Sequence, residues 1–203
     1  MTAALVGDRG EVIRLAVERW HEPADAVEEA ILAALPDPVL DVGCGPGRIV
    51  AALADAGRLA LGVDPSPEAI ARALRRRAPV VQRSVFDPLP GEGSWGSVVL
   101  LDGNVGIGGD PATLLSRCAE LLRPGGRLVA EVEPPGTSSQ RLRVRVESPR
   151  GTGRWFPWAQ VGLDDFAHLA HTAGLIADPT PTSHAARWFA WATKPGAGAG
   201  ARR

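Results

Sequence analysis

The chain has 203 residues, which is enough for one α/β domain with a full hydrophobic core. It is 45% hydrophobic and 22% charged, as globular proteins are, and its formal net charge of −1 excludes a general electrostatic attraction to nucleic acid or to an anionic membrane. Two cysteines do not make a disulfide framework and no apolar stretch reaches transmembrane length, so we expect a cytoplasmic protein.

The first 36 residues are predicted to form two helices, at 9–20 and 24–35, because apolar residues recur at roughly helical spacing in both. Strands and helices then alternate along the chain. Strands are predicted at 38–42, 58–63, 79–83, 97–102 and 126–132, and helices at 46–56, 66–76 and 111–122. This alternation favours a parallel sheet with helices on both faces, which binds ligands beyond the carboxyl ends of its strands.

An unusual segment follows the last of these strands. Apolar residues alternate with arginines from 141 to 146, which predicts a strand with one apolar and one basic face. A turn at 149–153 lets the chain pair back, so we expect an inserted β-hairpin, around 140–159, that packs over the active edge of the sheet. A helix at 163–173 and a strand at 188–193 complete the domain, and the low-complexity residues 195–203 are predicted to be disordered.

The most informative stretch is an apolar run that ends in Asp41 and continues into three alternating glycines, Gly43, Gly45 and Gly47. Glycine lacks a Cβ, so it adopts positive φ and lets a ligand lie against bare backbone. Asp64 ends the next apolar run, where an acid can accept hydrogen bonds from both ribose hydroxyls of an adenosyl ligand.

The glycine spacing separates two kinds of nucleotide-like ligand. The dinucleotide fingerprint Gly-x-Gly-x-x-Gly fails from either starting point, because Arg48 or Val50 occupies the third glycine position. Pro46 also removes a backbone donor that a pyrophosphate needs, and Asp41 places a carboxylate beside the loop. These features favour a ligand with a cationic centre and an ammonium group.

This loop resembles the first motif of the class I S-adenosylmethionine-dependent methyltransferases, acid-x-Gly-x-Gly-x-Gly, which stands here as Asp41-Val42-Gly43-Cys44-Gly45-Pro46-Gly47. The run Gly62-Val63-Asp64-Pro65-Ser66 is similar to the second motif, residues 95–101 to the fourth strand, and residues 122–128 to the turn into the fifth strand. The resemblance implies a Rossmann-like, doubly wound, mostly parallel seven-stranded sheet in a domain over 37–194, with S-adenosylmethionine as the cofactor. It also implies that residues 1–36 form a lid over the substrate.

The resemblance further implies a cofactor site at the strand ends. Its candidate residues are Asp41, Gly43, Cys44, Gly45, Gly47, Asp64, Pro65, Phe86, Asp87 and Asp102. Asp64 is the expected ribose acid. The family's usual acid after the third strand is replaced by Val85, so the adenine amine meets either Asp87 or backbone groups near Phe86. Asp102 or Asn104 is expected to face the ligand; the alternative is that their loop is a glycine-rich connector before a helix capped by Asp110.

The acceptor side of the site is less defined. Methyl transfer from a sulfonium needs alignment, exclusion of water and sometimes a base, so no catalytic residue is assigned. His21 is a candidate base, and no metal site is expected because the histidines and cysteines lack ligand spacing. Residues 155–158 and Trp20 either wall a substrate pocket or pack the hairpin on the sheet, and the arginines at 141–145 are expected on the solvated face of an edge strand.

These observations predict a methyltransferase that acts on a small molecule, with no DNA or membrane partner. RNA is disfavoured because neither an aromatic and basic platform nor an appended domain is seen. The alternatives are a methyltransferase for a macromolecule (RNA or protein), a catalytically silent S-adenosylmethionine-binding protein, and a nicotinamide oxidoreductase.

Overall fold

The computed structural model describes residues 3–149 and 151–196, which fold into two β-sheets with flanking helices. The strands are Ala4–Gly7 (β1), Val12–Arg14 (β2), Val39–Val42 (β3), Ala60–Asp64 (β4), Val80–Gln82 (β5), Trp95–Leu100 (β6), Leu122–Val132 (β7), Gln140–Ser148 (β8), Gly151–Thr152 (β9), Phe156–Gln160 (β10), Ile176–Ala177 (β11), Thr182–His184 (β12) and Arg187–Thr193 (β13). The α-helices are Val17–His21 (α1), Ala26–Ala33 (α2), Arg48–Asp55 (α3), Pro67–Arg75 (α4), Pro111–Leu121 (α5) and Leu163–Thr172 (α6). No helix within these ranges is long and apolar enough to cross a membrane.

The main sheet has the order β11-β13-β7-β6-β3-β4-β5, and β12 also pairs with β13. Neighbours from β5 through β7 run parallel, whereas β13 is antiparallel to β7. This confirms the predicted mostly parallel α/β sheet. The main sheet contains eight strands, one more than the predicted seven.

Strand β6 shows why helices cover both faces of this sheet. Val98 and Leu100 point into one core with α5 and α6, while Val99 and Leu101 point into a second core with α2 and α3. Alternate side chains of a strand face opposite sides, so an unbroken apolar run requires a hydrophobic partner on each side.

The amino-terminal segment departs from the sequence prediction. The helix expected at 9–20 is wrong over its first half, where β1 and β2 form a hairpin, and only Val17–His21 is helical. Strand β1 pairs with β8, so the buried Leu5 packs on Leu142 and Val144. Pairing with the edge of β8 therefore outweighs the weak helical pattern of this segment. One of the apolar residues of that pattern, Val12, is 63% exposed.

The predicted hairpin at 140–159 forms from β8 and β10 and belongs to the second sheet, whose order is β10-β8-β1-β2. Strand β10 lies against the 3₁₀ segment Asn104–Gly109, which follows β6. The approach is so close that a Cβ on Gly106 would lie 1.9 Å from the Ala159 carbonyl oxygen. The second sheet thus lies against the loop at the carboxyl end of β6. Of the tail predicted to be disordered, residues 197–203 lie outside the described residues.

Candidate functional site

The three glycines that follow β3 all have positive φ, but their surroundings differ. A Cβ on Gly43 would lie 2.7 Å from Asn104 Nδ2, and one on Gly47 would lie 2.8 Å from Ala73 Cβ. Gly45 has a φ of 52°, and a Cβ there would meet nothing within 4 Å. Gly43 and Gly47 therefore permit close packing, whereas Gly45 leaves open space in which a ligand can lie on the backbone.

Asp64, the last residue of β4, is joined to the glycine loop. Its Oδ2 accepts a hydrogen bond from the Gly45 N–H at 3.0 Å, and its Oδ1 accepts one from the Ser66 N–H at 2.8 Å. Burial raises the pKa of the carboxyl, and these two N–H groups partly oppose that increase. Each carboxylate oxygen can accept a further hydrogen bond, so the group is ready for two adjacent hydroxyls.

Asp41 is a buried carboxylate beside the same loop, with 3% of its surface exposed. Burial raises its pKa to about 7; Arg48 opposes the increase, and the anionic Asp102 and Asp64 add to it. Within residues 3–149 and 151–196 its side chain has no hydrogen-bond or ion-pair partner. A positively charged group brought against Asp41 would stabilise the carboxylate, so this position suits an ammonium or sulfonium ligand.

The other candidates near the loop act through backbone or packing. The Cys44 thiol is buried against Gly62, where an added Cβ would lie 2.7 Å from Sγ, and burial raises the pKa of this thiol. Its side chain is therefore a packing group rather than a nucleophile. The Pro65 carbonyl accepts a hydrogen bond from Gln82 Nε2 at 3.4 Å and leads into α4, which Ser66 caps.

The turn after β5 contains Val85, which replaces the acid expected there to contact the adenine amine. Val85 is 4% exposed and belongs to the main core, so its side chain points away from the cleft. Asp87 Oδ2 accepts a hydrogen bond from the Ser84 N–H at 3.1 Å and thus closes its own turn. Phe86 is 43% exposed, and its ring lies over Gly108. Of these residues, Phe86 offers the largest open surface for a flat ring.

Asp102 lies at the end of β6, but its carboxylate is taken up by arginines. One oxygen pairs with Arg19, and the other accepts from Arg48 Nη2 at 2.7 Å. Burial alone would raise the pKa of Asp102, but Arg48 and Arg19 hold it below the ordinary value. The interpretation of Asp102 as a direct ligand contact is therefore not supported by this geometry.

Asn104 is also turned toward the protein. Its Nδ2 donates to the carbonyl oxygens of Val42 and Gly43, each at 3.0 Å. The side chain braces the glycine loop instead of facing open space. The capping role predicted for Asp110 is confirmed, since its carboxylate accepts from the Thr113 N–H at the start of α5.

The arginine pairs of Asp102 belong to a larger buried ion network that the sequence pattern does not predict. Glu28 of α2 has no exposed surface and accepts from Arg48 and from Arg187 Nη2, the latter at 3.0 Å. Arg187 also binds Glu131, with Nε 2.8 Å from Oε1. The network joins α2 and α3 to the ends of β7 and β13. The available signal was the position of Glu28 one helical turn before Ile31 and Leu32, on the buried face of α2.

A cavity of about 220 Å³ lies between the second sheet and the carboxyl ends of β6 and β7. Aromatic side chains Trp20 and Trp158 contribute to its wall, and Trp158 also packs against the hydrophobic core of the second sheet. Trp155 takes no part, because its ring stacks under Arg145, with 4.8 Å between guanidinium carbon and ring centre. The carboxylates that line the cavity are Asp102, Glu131 and Glu133.

The histidine candidates lie elsewhere. His21 is exposed, contacts Arg72 at 3.1 Å and does not line this cavity. His168 and His171 are exposed on α6. No group of three or more His, Cys, Asp or Glu side chains suited to a metal ion occurs in the described ranges.

Residues 39–126 match a family model described as a methyltransferase domain. The ubiquinone biosynthesis O-methyltransferase of Cereibacter sphaeroides is 27% identical over 148 residues, which are 68% of this chain and 59% of that protein. The chain spans 29% to 62% of the length of the curated relatives it matches.

Solved structures share the fold at low sequence identity. A methyltransferase from Bacteroides fragilis, in complex with S-adenosylhomocysteine, has a TM-score of 0.78 and 19% identity, covering 96% of this chain and 88% of its own. The 1,6-didemethyltoxoflavin N1-methyltransferase of Burkholderia thailandensis has a TM-score of 0.60 and 23% identity, covering 84% of this chain and 76% of its own.

Proposed function

Because residues 39–126 match a methyltransferase-domain family model, we propose that the protein is a class I methyltransferase that transfers a methyl group from S-adenosylmethionine to a small organic acceptor. The observation that carries this proposal is Asp41, a buried carboxylate without a partner among the described residues, next to the open backbone at Gly45. A cationic adenosyl donor fits that pair, whereas a pyrophosphate would bring negative charge toward Asp41.

The residues present fit the cofactor at three points. Asp41 is placed for a cationic group, Asp64 for the ribose hydroxyls, and the exposed ring of Phe86 for the adenine. Asn104 holds the glycine loop in the shape that keeps Gly45 open. When bound there, S-adenosylmethionine supplies an electrophilic methyl group carried on a positively charged sulfur.

The cavity of about 220 Å³ is the proposed acceptor site. It lies at the ends of β6 and β7, and β6 is the neighbour of β3 in the sheet, so the two sites are adjacent. A cavity of this size matches a small molecule better than a nucleic acid or a protein. Two similar proteins have names that support a small acceptor: an O-methyltransferase of ubiquinone biosynthesis and a 1,6-didemethyltoxoflavin N1-methyltransferase. Residues 3–36 contribute Trp20 and Arg19 to the cavity, which supports the proposed lid.

The decisive experiment combines binding and transfer. We expect saturable calorimetric binding of S-adenosylmethionine and no binding of NAD, followed by release of S-adenosylhomocysteine with at least one acceptor from a panel of phenols, amines and sugars. Binding without any product across the panel would favour a silent S-adenosylmethionine-binding protein, and binding of NAD alone would overturn the proposal.

A further inference from the structure

Glu133, at the end of β7, stands apart from the other carboxylates of the cavity. We propose that Glu133 is the general base that takes a proton from the methyl acceptor. We also propose that this methyl acceptor is a small aromatic molecule with a hydroxyl group. The inference deepens the proposed methyl transfer and rests on it.

The other two carboxylates of the cavity, Asp102 and Glu131, are already paired with arginines. Asp102 has one oxygen on Arg19 and the other on Arg48. Glu131 has Oε1 2.8 Å from Arg187 Nε and Oε2 2.9 Å from Arg187 Nη2. Within the described ranges Glu133 is the one cavity carboxylate without an arginine partner, so it alone keeps the capacity of a base.

Hydrogen bonds hold the Glu133 side chain in one orientation. Gln160 Nε2 donates to Glu133 Oε1 at 3.0 Å, which leaves Oε2 for another donor. The Gln160 amide is itself oriented, because its Oε1 accepts from Gln140 Nε2 at 2.7 Å. This chain of amides fixes the carboxylate through neutral donors. Gln160 is accordingly a positioning residue.

The shape of the cavity indicates an aromatic acceptor. An apolar cavity of about 150 Å³ is large enough for a benzene molecule, and this cavity measures about 220 Å³. It therefore has room for one ring with small substituents. Trp20 and Trp158 provide aromatic walls, and Glu133 and Gln160 line the same cavity as a hydrogen-bonded pair. A hydroxyl on such a ring is a weak nucleophile until it loses its proton, which is the task that Glu133 performs.

In the proposed methyl transfer, the acceptor oxygen loses its proton to the Glu133 carboxylate and forms a new bond to the methyl carbon. The electron pair of the broken carbon–sulfur bond stays on sulfur. The products are the methyl ether, a neutral thioether and a protonated Glu133, which then releases its proton to solvent.

The test compares two phenols of different acidity in the wild-type chain, in Glu133→Gln and in the control Glu120→Gln, an exposed carboxylate on α5. At pH 8.5 the hydroxyl of 4-methylphenol is protonated, whereas that of 4-nitrophenol is already ionised and needs no base. We expect Glu133→Gln to lower kcat for 4-methylphenol at least about 100-fold, since general bases contribute a rate factor of about 10²–10⁴. The kcat for 4-nitrophenol should stay within about threefold of the wild-type value. Equal losses for both phenols, or no loss, would overturn the role of Glu133.

A second readout does not depend on turnover. Without cofactor, the absorbance of bound 4-nitrophenol reports its ionisation, and a neighbouring carboxylate disfavours the phenolate. We expect the ionisation midpoint in the wild-type chain to lie about one pH unit above that in Glu133→Gln. An identical midpoint would contradict the contact. If S-adenosylmethionine binds but 4-nitrophenol does not, the inference fails and the proposed function stands; if S-adenosylmethionine does not bind, the proposed function itself fails.

Discussion

Asn104 and Gly43 are 61 residues apart, yet the amide of Asn104 donates to the carbonyl of Gly43 at 3.0 Å. The same amide donates to the Val42 carbonyl at 3.0 Å. The loop after β6 therefore fixes the loop after β3, and it is positioned to set the width of the space above Gly45. The absence of a Cβ at Gly43 makes this contact possible, because one would lie 2.7 Å from the Asn104 nitrogen.

Asn104→Ala should destabilise the protein by about 1–3 kcal/mol, because two part-buried carbonyls each lose a hydrogen bond. Asn104→Asp should be worse than alanine, since it turns acceptor oxygens toward the two carbonyls. Urea unfolding of the three proteins checks this order. An aspartate variant as stable as the wild type would show that the amide is not the donor.

Asp41→Asn should stabilise the unliganded protein at pH 8 while removing binding of S-adenosylmethionine. The pKa of Asp41 is raised from 3.8 to about 7, so its contribution to folding is fully present below about pH 4 and is lost as pH rises through 7. This pKa difference of about three units corresponds to at most about 4 kcal/mol of unfolding free energy. Unfolding free energies at pH 5 and pH 8 measure the effect. A variant less stable than the wild type at both pH values would contradict it.

The buried ion network should be sensitive to loss of one partner. Arg48→Met leaves Glu28 and Asp102 short of a positive charge, and such losses cost about 3–5 kcal/mol. Arg141→Met is the control, because its pair with Asp110 is exposed and is worth about 0–1 kcal/mol. Thermal unfolding should separate the two variants clearly. Equal effects would show that the buried network does not anchor α2 and α3.

Gly106→Ala should push β10 away from the 3₁₀ segment, because its Cβ would lie 1.9 Å from a backbone oxygen. Overpacking of this kind costs about 1–3 kcal/mol. Gly153→Ala is a matched control, since its Cβ would meet only ordinary contacts at 3.5 Å or more. Hydrogen exchange of β8 and β10 should increase in the first variant alone. Unchanged exchange there would mean that the second sheet does not rest on this loop.

The sequence predicted the parts of the fold that depend on local pattern. The glycine loop, the acid at the end of β4 and the alternation of strands and helices are each encoded within a few residues. The α/β sheet is confirmed, and residues 39–126 match a methyltransferase-domain family model. The β1–β2 hairpin was missed because its partner, β8, lies more than 130 residues away in sequence. A short strand with one buried leucine carries little periodicity of its own.

The charged part of the site was missed for a similar reason. Arg187 and Glu28 are 159 residues apart, and the local sequence around each residue does not predict that they pair. Asp102 was placed correctly at a strand end, but its partners Arg19 and Arg48 decide which way the carboxylate points. Strand-end position predicts proximity to a ligand site; the direction of the side chain depends on contacts that only the folded chain provides.

The most direct test of the account is calorimetric titration of S-adenosylmethionine into the wild-type chain and into Asp64→Ala. Loss of hydrogen bonds to a charged group costs about 1.5–3 kcal/mol each, so Asp64→Ala should weaken binding at least about tenfold while the wild type binds saturably. Asp87→Ala should bind nearly as well as the wild type, because Asp87 closes its own turn. No binding by the wild type, or equal affinity in Asp64→Ala, would contradict the assignment of this loop to an adenosyl donor.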